Sequence, residues 1–344
     1  MVKKIIALDA MGGDHGPSVT VAAAKVALDQ IPGIELVLVG DQAKLATEVR
    51  SNDLDQDSRV RVHHASEVVD MGDLPVVALK KKKDSSMRVA INLVKEGTVQ
   101  ACVSAGNTGA LMATSKFVLK TIRGISRPAI CTILPGIKGH THMLDLGANP
   151  ECTPDILAEF ALMGSVLAQS VEGIDNPSIG LLNIGSEEIK GNESIKRASQ
   201  LIAESQLNYF GFVEGDDVFK GTVNVIVTDG FVGNVSLKSG EGLAALVSHV
   251  INSEFKRNWL TRLAGLCAMP VLRAVRRRLD PRRHNGASLL GLNGIVIKSH
   301  GSADVESFFH AIKIAAIEIE NEVPQRISAE IEKHLSKADE EAVT

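Results

Sequence analysis

The segment ACVSAGNTG, at residues 101–109, is a short apolar run that ends in a turn of small polar residues. Four further segments share this form: IIALDAMGGD (5–14), HMLDLGANP (142–150), GLLNIGSEEIKGN (180–192) and NVIVTDGFVGN (224–234). The pattern is typical of buried parallel strands whose carboxyl ends carry loops, and open α/β sheets bind ligands at these ends. The loops offer backbone N–H groups, amides and one lysine, but almost no conventional nucleophile. We therefore predict that they bind an anion near helix N-termini.

The composition favours one large α/β domain. The chain has 344 residues, of which 44% are hydrophobic and only 3% aromatic, so its core must consist of Ala, Val, Ile and Leu. Such a core suits helices packed on a mostly parallel sheet. We find no repeat, low-complexity stretch or linker, which favours a single continuous domain over residues 1–344.

Several other classes of protein are disfavoured. The four cysteines show no CxxC pair or regular spacing, so we predict neither a zinc site nor a disulfide framework, and a reducing cytoplasm is the simplest location. The apolar stretch before Asp9 is too short for a signal peptide, and no apolar run approaches the roughly 18 residues of a membrane-spanning helix. No nucleotide-binding GxxxxGK loop, GxSxG elbow or HExxH motif is present.

Positive charge is concentrated in one segment. The net charge is −4, yet residues 256–283 contain nine basic residues and one acid, a local charge of +8. We predict a helical hairpin over residues 240–284 that projects from the sheet and is interrupted at residues 268–270. Helical spacing relates Phe255, Trp259, Leu263 and Leu266 on its first arm and Leu272, Val275 and Leu279 on its second. Arginines occupy the other faces, among them Arg273, Arg276, Arg277 and Arg278.

A basic amphipathic hairpin with tryptophan and leucine suits an anionic membrane surface or an acidic protein. The alternative is a helix that packs its apolar face on the core and leaves a solvated basic face. Nucleic acid is disfavoured, because aromatic residues that stack on bases are scarce and no binding motif accompanies the charge.

The loop after the strand at residues 101–104 is a candidate phosphate site. Ser104, Asn107 and Thr108 lie where a helix begins, and the neighbouring glycines permit close backbone approach. An oxyanion would be held there by N–H groups and hydroxyls, although an ordinary capped turn has the same pattern.

Two later loops contain a lysine and an asparagine of interest. Lys190 lies between two glycines with three glutamates nearby. The alternative to an anion-binding role is therefore a solvated surface ion pair with one of these glutamates. Asn234 follows Asp229 in a glycine-rich turn, where it could cap a helix or donate to an oxyanion.

His140 and Asp145 have the spacing of the dyad found in glycerolipid acyltransferases. On a strand, a separation of five residues places the two side chains on opposite faces. We therefore predict that they do not pair.

Taken in order, seven motifs resemble one known family over nearly the whole chain, the bacterial PlsX phosphate acyltransferases. The motifs are DAMGGDHGP (9–17), KKDSSM (82–87), SAGNTGA (104–110), LDLGAN (144–149), NIGSEEIKGNE (183–193), TDGFVGN (228–234) and SHGSAD (299–304). Agreement by chance over seven ordered motifs is very unlikely.

The resemblance implies transfer of a fatty acyl group from acyl-carrier protein to inorganic phosphate, which gives acyl phosphate for phospholipid synthesis. It also implies a homodimer with a three-layer α/β/α fold, similar to phosphotransacetylases and isocitrate-dehydrogenase-like enzymes. Lys190 and Asn234 match the family's catalytic lysine and asparagine. No cofactor or metal is implied. The hairpin matches the family in character but not residue by residue.

This reaction is consistent with the near absence of a conventional side-chain nucleophile in the loops, because phosphate can itself attack a thioester once it is positioned and its charge is stabilised. We hypothesise that Ser104, Asn107 and Thr108 and the neighbouring N–H groups hold phosphate. Lys190 would offset charge on the phosphate or on the tetrahedral oxyanion, and Asn234 would donate to that oxyanion. Further contacts to phosphate or acyl group are expected from residues in the same motifs: Asp9, Gly12, Gly13, Asp14, Asn149, Asp229 and His300.

The hairpin would then contact acidic acyl-carrier protein, the cytoplasmic face of the membrane, or both, through Phe255, Trp259, Leu263, Arg273, Arg276 and Arg277. Two rival functions remain. A decarboxylating hydroxy-acid dehydrogenase would share the fold but would need metal-binding carboxylates and a nicotinamide site. A non-catalytic membrane scaffold would explain the hairpin but not five polar strand ends.

Overall fold

The structure is a computed structural model that describes residues 3–278 and 280–343. It does not describe the side chains of residues 276–278, 281, 284 and 334–343. Eleven strands are described in one sheet: β1 (Lys4–Asp9), β2 (Ile34–Gly40), β3 (Val60–His64), β4 (Ala101–Ser104), β5 (Ala129–Gly136), β6 (Gly139–Leu144), β7 (Ile179–Leu182), β8 (Tyr209–Val213), β9 (Val225–Val227), β10 (Ala287–Leu290) and β11 (Ile295–Lys298).

The described helices cover both faces of this sheet. They are α1 (Pro17–Gln30), α2 (Gln42–Ser51), α3 (Pro75–Lys81), α4 (Ser86–Lys95), α5 (Thr108–Leu119), α6 (Pro154–Glu172), α7 (Glu193–Glu204), α8 (Asp217–Lys220), α9 (Gly230–Lys256), α10 (Trp259–Arg278), α11 (Val305–Glu320) and α12 (Val323–Val343). The prediction of an α/β fold with a mostly parallel sheet is confirmed.

The sheet consists of two parallel runs with opposite directions. The strand order is β3-β2-β1-β4-β11-β10-β5-β6-β9-β7-β8. The strands from β3 to β11 pair in parallel, and so do the strands from β6 to β8. Three successive antiparallel pairings, β11–β10, β10–β5 and β5–β6, separate the runs. Because three reversals invert the direction, the carboxyl ends of the two runs emerge at opposite edges of the sheet.

The core lies on both faces of the sheet, because side chains alternate along a strand. On β1, Ile6 and Leu8 pack under α1 and α11, whereas Ala7 packs with the cluster under α4 and α5. A third cluster packs α6, α7 and α12 on the second run. The buried residues are mainly Ala, Val, Ile and Leu, as the low aromatic content predicts.

Short polar residues begin several of the helices that follow strands. Asn107, Asn192 and Asp229 each accept a hydrogen bond from the N–H three residues later, at the start of α5, α7 and α9. Such caps satisfy backbone donors that would otherwise lack partners. The capping alternative considered for Asn107 is therefore real, and at α9 the cap is Asp229, not Asn234.

The helical segment after β9 differs from its predicted form. The first arm, α9, begins at Gly230, and the break falls at Arg257 and Asn258, not at residues 268–270. Asn258 exchanges hydrogen bonds with Thr261, whose N–H donates to Asn258 Oδ1 at 3.0 Å while the Asn258 N–H donates to Thr261 Oγ1 at 3.1 Å. This cap starts α10, and α10 continues through Pro270. Phe255 therefore lies on α9, while Trp259, Leu263 and Leu266 lie on α10.

Candidate active site

Asp9 is a fully buried carboxylate at the end of β1 that ties three segments together. Its Oδ1 accepts from Ser86 Oγ at 2.6 Å, and its Oδ2 accepts from Ser104 Oγ at 2.6 Å. Burial raises the pKa of Asp9, although the two serines and nearby backbone N–H groups oppose the shift. We call Asp9, Ser86, Ser104 and the adjoining Lys298 the Asp9 cluster.

Glycines allow the β1 loop to approach its neighbours. A Cβ on Gly12 would lie 2.7 Å from Asp9 Oδ2 and 2.8 Å from the Gly106 nitrogen. The next residue, Gly13, has φ +83°, and the Asp14 N–H donates to Gly301 O at 2.8 Å. The loops after β1, β4 and β11 therefore lie directly against one another.

Lys298 at the end of β11 is a site residue that the sequence analysis missed. The residue is only 9% exposed, and its Nζ donates to the carbonyls of Ala105 and Ser299. Burial lowers its pKa to about 8, the negative charge of Asp9 opposes that shift, and Lys238 on α9 adds to it. The available signal was a lysine that ends the apolar run IVIK immediately before SHGSAD.

Ser104 and Asn107 use their side chains to hold loops. The Ser104 hydroxyl donates to Asp9 and accepts from the Gly106 N–H at 3.1 Å. The Asn107 amide donates to Met71 O at 2.8 Å and Asp73 O at 3.0 Å, while its Oδ1 accepts from the Ala110 N–H. These bonds engage the donors that were hypothesised to hold phosphate.

Three other predicted site residues, in the loops after β1, β4 and β11, are exposed. Asp14, Thr108 and His300 all reach solvent. The His300 Nδ1 lies 2.9 Å from the Ser302 hydroxyl, within its own loop.

A second buried carboxylate, Asp145, organises the loop after β6. Its Oδ1 accepts from the Ile130 and Ala148 N–H groups at 2.9 and 3.2 Å, and its Oδ2 accepts from the Asn149 N–H and side-chain amide at 2.7 and 2.9 Å. Burial raises the pKa of Asp145, and these donors oppose the shift. Asn149 is itself buried, and its amide also donates to Pro128 O. His140 instead contacts Glu172, so the prediction that His140 and Asp145 do not pair is confirmed.

The first turn of α9 packs against this loop at very short range. A Cβ on Gly233 would lie 1.9 Å from Asp145 O, so only glycine fits there. Asp229 caps the helix through the Val232 N–H at 2.8 Å. Asn234 follows on the same turn, is exposed, and lies over Gly147.

Lys190 lies in the loop after β7 and is exposed. The loop is held by the Lys190 N–H, which donates to Glu187 O at 3.0 Å, and by the Asn183 amide, which donates to Lys190 O at 3.3 Å. The ion pair described in this segment joins Lys196 to Glu193 on α7.

The strand ends bring Lys190 and Asn234 to the same edge of the sheet. β7 and β9 are parallel neighbours, and β6 lies beside β9, so the loops bearing Lys190, Asn234 and Asn149 emerge together. We call this the β6–β9–β7 edge. The Asp9 cluster lies at the carboxyl ends of the other run of strands. α9 connects the two regions, because it begins at this edge and carries Lys238, whose charge acts on Lys298.

The thiol near this edge is poorly suited to nucleophilic attack. Cys152 is half-buried, and its Sγ donates to Asn149 O at 3.7 Å. Burial raises its pKa to about 12, so it stays protonated at neutral pH.

Apolar side chains on α9 and α10 are exposed to an unusual degree. Trp259 is 72% and Leu263 54% exposed, whereas Phe255 is half-buried against Gly265. Arg273 is also exposed, while the side chains of Arg276 and Arg277 lie outside the described part of the structure. Across the described residues, none of the helices combines the length and apolarity that crossing a membrane requires.

Solved structures share this architecture. A phosphotransacetylase from Streptococcus pyogenes has a TM-score of 0.62 at 18% identity, with 92% of this chain and 94% of that chain covered. EutD phosphotransacetylase from Staphylococcus aureus has a TM-score of 0.59 at 17% identity, with 94% of each chain covered. At this identity the likeness shows the fold alone, which is that of phosphotransacetylases.

Sequence comparison identifies the family. A family model described as "Fatty acid synthesis protein" matches residues 4–326. A phosphate acyltransferase from Methylococcus capsulatus is 61% identical over 322 residues, covering 94% of this chain and 95% of its own. Another from Nitrosococcus oceani is 58% identical over 332 residues, covering 96% and 98%. The chain belongs to the PlsX phosphate acyltransferase family, and it is an acyltransferase.

Proposed function

We propose that this enzyme transfers a fatty acyl group from acyl-carrier protein directly to inorganic phosphate, with Lys190 and Asn234 as its catalytic residues. The observation that carries the proposal is the β6–β9–β7 edge. There an exposed lysine and an exposed amide follow neighbouring parallel strands, beside the N-terminus of the long helix α9. Helix N-termini and lysines stabilise anions, as an attacking phosphate and a tetrahedral oxyanion both require.

Each group has a defined task in this proposal. Lys190 offsets the charge of phosphate as its oxygen approaches the thioester carbonyl. Asn234 donates to the oxyanion that forms when the new C–O bond closes, and the carrier-protein thiolate leaves as that oxyanion collapses. No side-chain nucleophile is needed, which agrees with the protonated, half-buried Cys152. In the loops after β1, β4 and β11, beside the Asp9 cluster, the exposed residues Asp14, Thr108 and His300 are the positions that a substrate would reach.

A phosphate-dependent hydroxylamine trap tests the activity. The full chain with acyl-carrier protein thioester should give acyl hydroxamate only when phosphate is present. Lys190→Ala and Asn234→Ala should each lower kcat by about 100-fold or more, the usual loss for one oxyanion-stabilising group. Lys196→Ala on α7, where the lysine side chain is 34% exposed, and Asn252→Ala on α9, where the asparagine is exposed, are the matched controls, and they should retain activity. Near wild-type turnover by Lys190→Ala would contradict the assignment.

Intact-mass spectrometry during turnover tests the direct attack. We expect no acyl adduct on the protein, because phosphate itself is the nucleophile. An adduct that forms and decays at the catalytic rate would replace this mechanism with a covalent one.

We infer that α9 and α10 bind acyl-carrier protein, an anionic membrane surface, or both. The exposed Trp259 and Leu263 lie on the same helix as the exposed Arg273, and this combination supports the assignment. Arg273→Glu should raise the KM for the carrier protein or reduce flotation with anionic vesicles, and added salt should weaken whichever interaction is lost. If neither quantity changes in Arg273→Glu and Trp259→Ala, the helix pair has another role.

A further inference from the structure

Two histidines on β6 and one glutamate on α6 converge outside the proposed reaction site. His140 and His142 are two residues apart on the strand, so their side chains share a face. Glu172 is the last residue of α6, which packs across that face. Each side chain offers one ligand atom, a ring nitrogen or a carboxylate oxygen, and these three atoms lie within 4.8 Å of one another.

The convergence is on a single oxygen atom. Glu172 Oε1 lies 2.5 Å from His140 Nε2 and also contacts His142 Nε2. His142 lies on β6, between β5 and β9 in the sheet. Its ring is buried, and among the described residues its Nδ1 has no partner. The polar contact of this buried ring is therefore made through Nε2, towards the other two groups.

The three groups differ in access to solvent. The His142 side chain is 3% exposed, that of Glu172 19% and that of His140 40%. An ion can thus enter from the His140 side, and a water or a further ligand can complete its coordination there. Glu172 lies at a helix terminus, where a small movement of the carboxylate opens the donor spacing to the roughly 3 Å that a metal held at about 2.1 Å requires.

We propose that His140, His142 and Glu172 form a Zn²⁺ site. Two imidazoles and one carboxylate are a donor set that suits Zn²⁺ and related divalent transition metals, whereas Ca²⁺ and Mg²⁺ prefer oxygen ligands alone. The sequence expectation of no metal rested on the cysteine spacing, on the absence of an HExxH motif and on the family resemblance. It did not consider ligands from separate elements.

The bound ion would join the end of α6 to the beginning of β6. This place is distinct from the β6–β9–β7 edge, because His140 lies five residues, or about 16 Å of strand, before Asp145. The site is therefore structural: metal binding should stabilise the contact between helix and strand without adding a group to the reaction.

Metal titration of the full chain tests the proposal. The protein is stripped with a chelator, dialysed and titrated with Co²⁺, whose visible absorption reports coordination geometry, and then with Zn²⁺ in competition. We expect one metal ion per chain with a tetrahedral Co²⁺ spectrum, displaced by Zn²⁺, and a Zn²⁺-dependent rise in the unfolding temperature. Because replacing the buried His142 could impair folding, the variants are His140→Ala and Glu172→Gln.

Each variant should weaken metal binding by more than about tenfold and abolish the rise in unfolding temperature. His249→Ala, which removes an exposed histidine on α9, is the matched control and should bind like the wild type. Absence of Zn²⁺ binding by the wild type, or equal binding by His140→Ala and His249→Ala, would overturn the proposal and leave a pair of His–Glu hydrogen bonds.

Discussion

Glu318 on α11 is a carboxyl group in an apolar environment. It is fully buried beside Leu289, Leu290 and Ile327, and it accepts a hydrogen bond from the Ser288 hydroxyl. Burial raises its pKa to about 7, and the bond from Ser288 only partly opposes that shift. The folded protein therefore holds a proton on Glu318 at pH values where the unfolded chain has released it.

The sign of the resulting pH dependence follows from proton linkage. Between the unfolded pKa of 4.5 and the folded pKa of about 7, the folded state binds more protons, so stability falls as pH rises through this window. Glu318→Gln removes the titrating group and keeps an acceptor for Ser288. We expect the variant to gain about 1–3 kcal/mol at pH 8 and little at pH 5. Urea unfolding at both pH values measures this.

Glu320→Gln is the control for this experiment, because Glu320 lies two residues further on and its side chain is 62% exposed. Its pH profile should follow the wild type. If Glu318→Gln shows the same decrease in stability from pH 5 to pH 8 as the wild type, Glu318 is not the group responsible.

The sequence predicted where some site residues lie along the chain, but it did not predict their hydrogen-bond partners or their burial. Asn107 was correctly placed at the start of a helix, whereas Ser104 is the last residue of β4. Their hydrogen bonds to Asp9, Met71 and Asp73 cross from one segment to another. Local sequence does not contain such partners. Lys298 was missed for the same reason, since its burial depends on strands that are distant in the chain.

Close packing against the loop after β6 positions the first turn of α9. Gly233 lies where any side chain would meet Asp145 O, and the same helix turn positions Asn234. Gly242 lies further along the helix, where an added Cβ has nothing within 4 Å.

Gly233→Ala should therefore displace α9 and lower both stability and turnover, with a loss of about 1–3 kcal/mol or more from overpacking. Gly242→Ala should be neutral or stabilising by up to about 1 kcal/mol, because alanine favours a helix over glycine. Thermal unfolding and kcat for the two variants make the comparison. Equal effects would show that close packing on Asp145 does not position the helix.

The break between α9 and α10 shows which local signal prevails. Proline at position 270 predicted the interruption, but the helix continues through it, and the reciprocal bonds of Asn258 and Thr261 start α10 instead. A capping pair satisfies backbone donors, whereas one proline removes a single donor from an otherwise continuous helix.

At the scale of the whole molecule, α9 has an uncovered apolar stripe. Leu243, Leu246, Val247 and Val250 recur at helical spacing, and each is more than 45% exposed. A stripe of this kind marks an interaction surface. We propose that it pairs two copies of the chain in a homodimer.

Leu246→Asp should shift the protein from dimer to monomer in light scattering after gel filtration, because dimerisation would bury the new charge. Asn252→Asp adds the same charge to α9 and should leave the dimer intact if the stripe forms the interface. A wild-type protein that is monomeric at micromolar concentration would contradict the proposal.

The amino-acid sequence by itself determined the fold class, the five strands that end in polar loops and the identity of those loops. These features depend on hydrophobic pattern, on glycine and on capping residues, all of which act within a few positions along the chain. Only the tertiary structure decided which loops share an edge, because three antiparallel pairings invert one run of strands relative to the other. The burial of Lys298 and Glu318 and the meeting of His140, His142 and Glu172 likewise depend on contacts between distant segments, which local pattern does not encode.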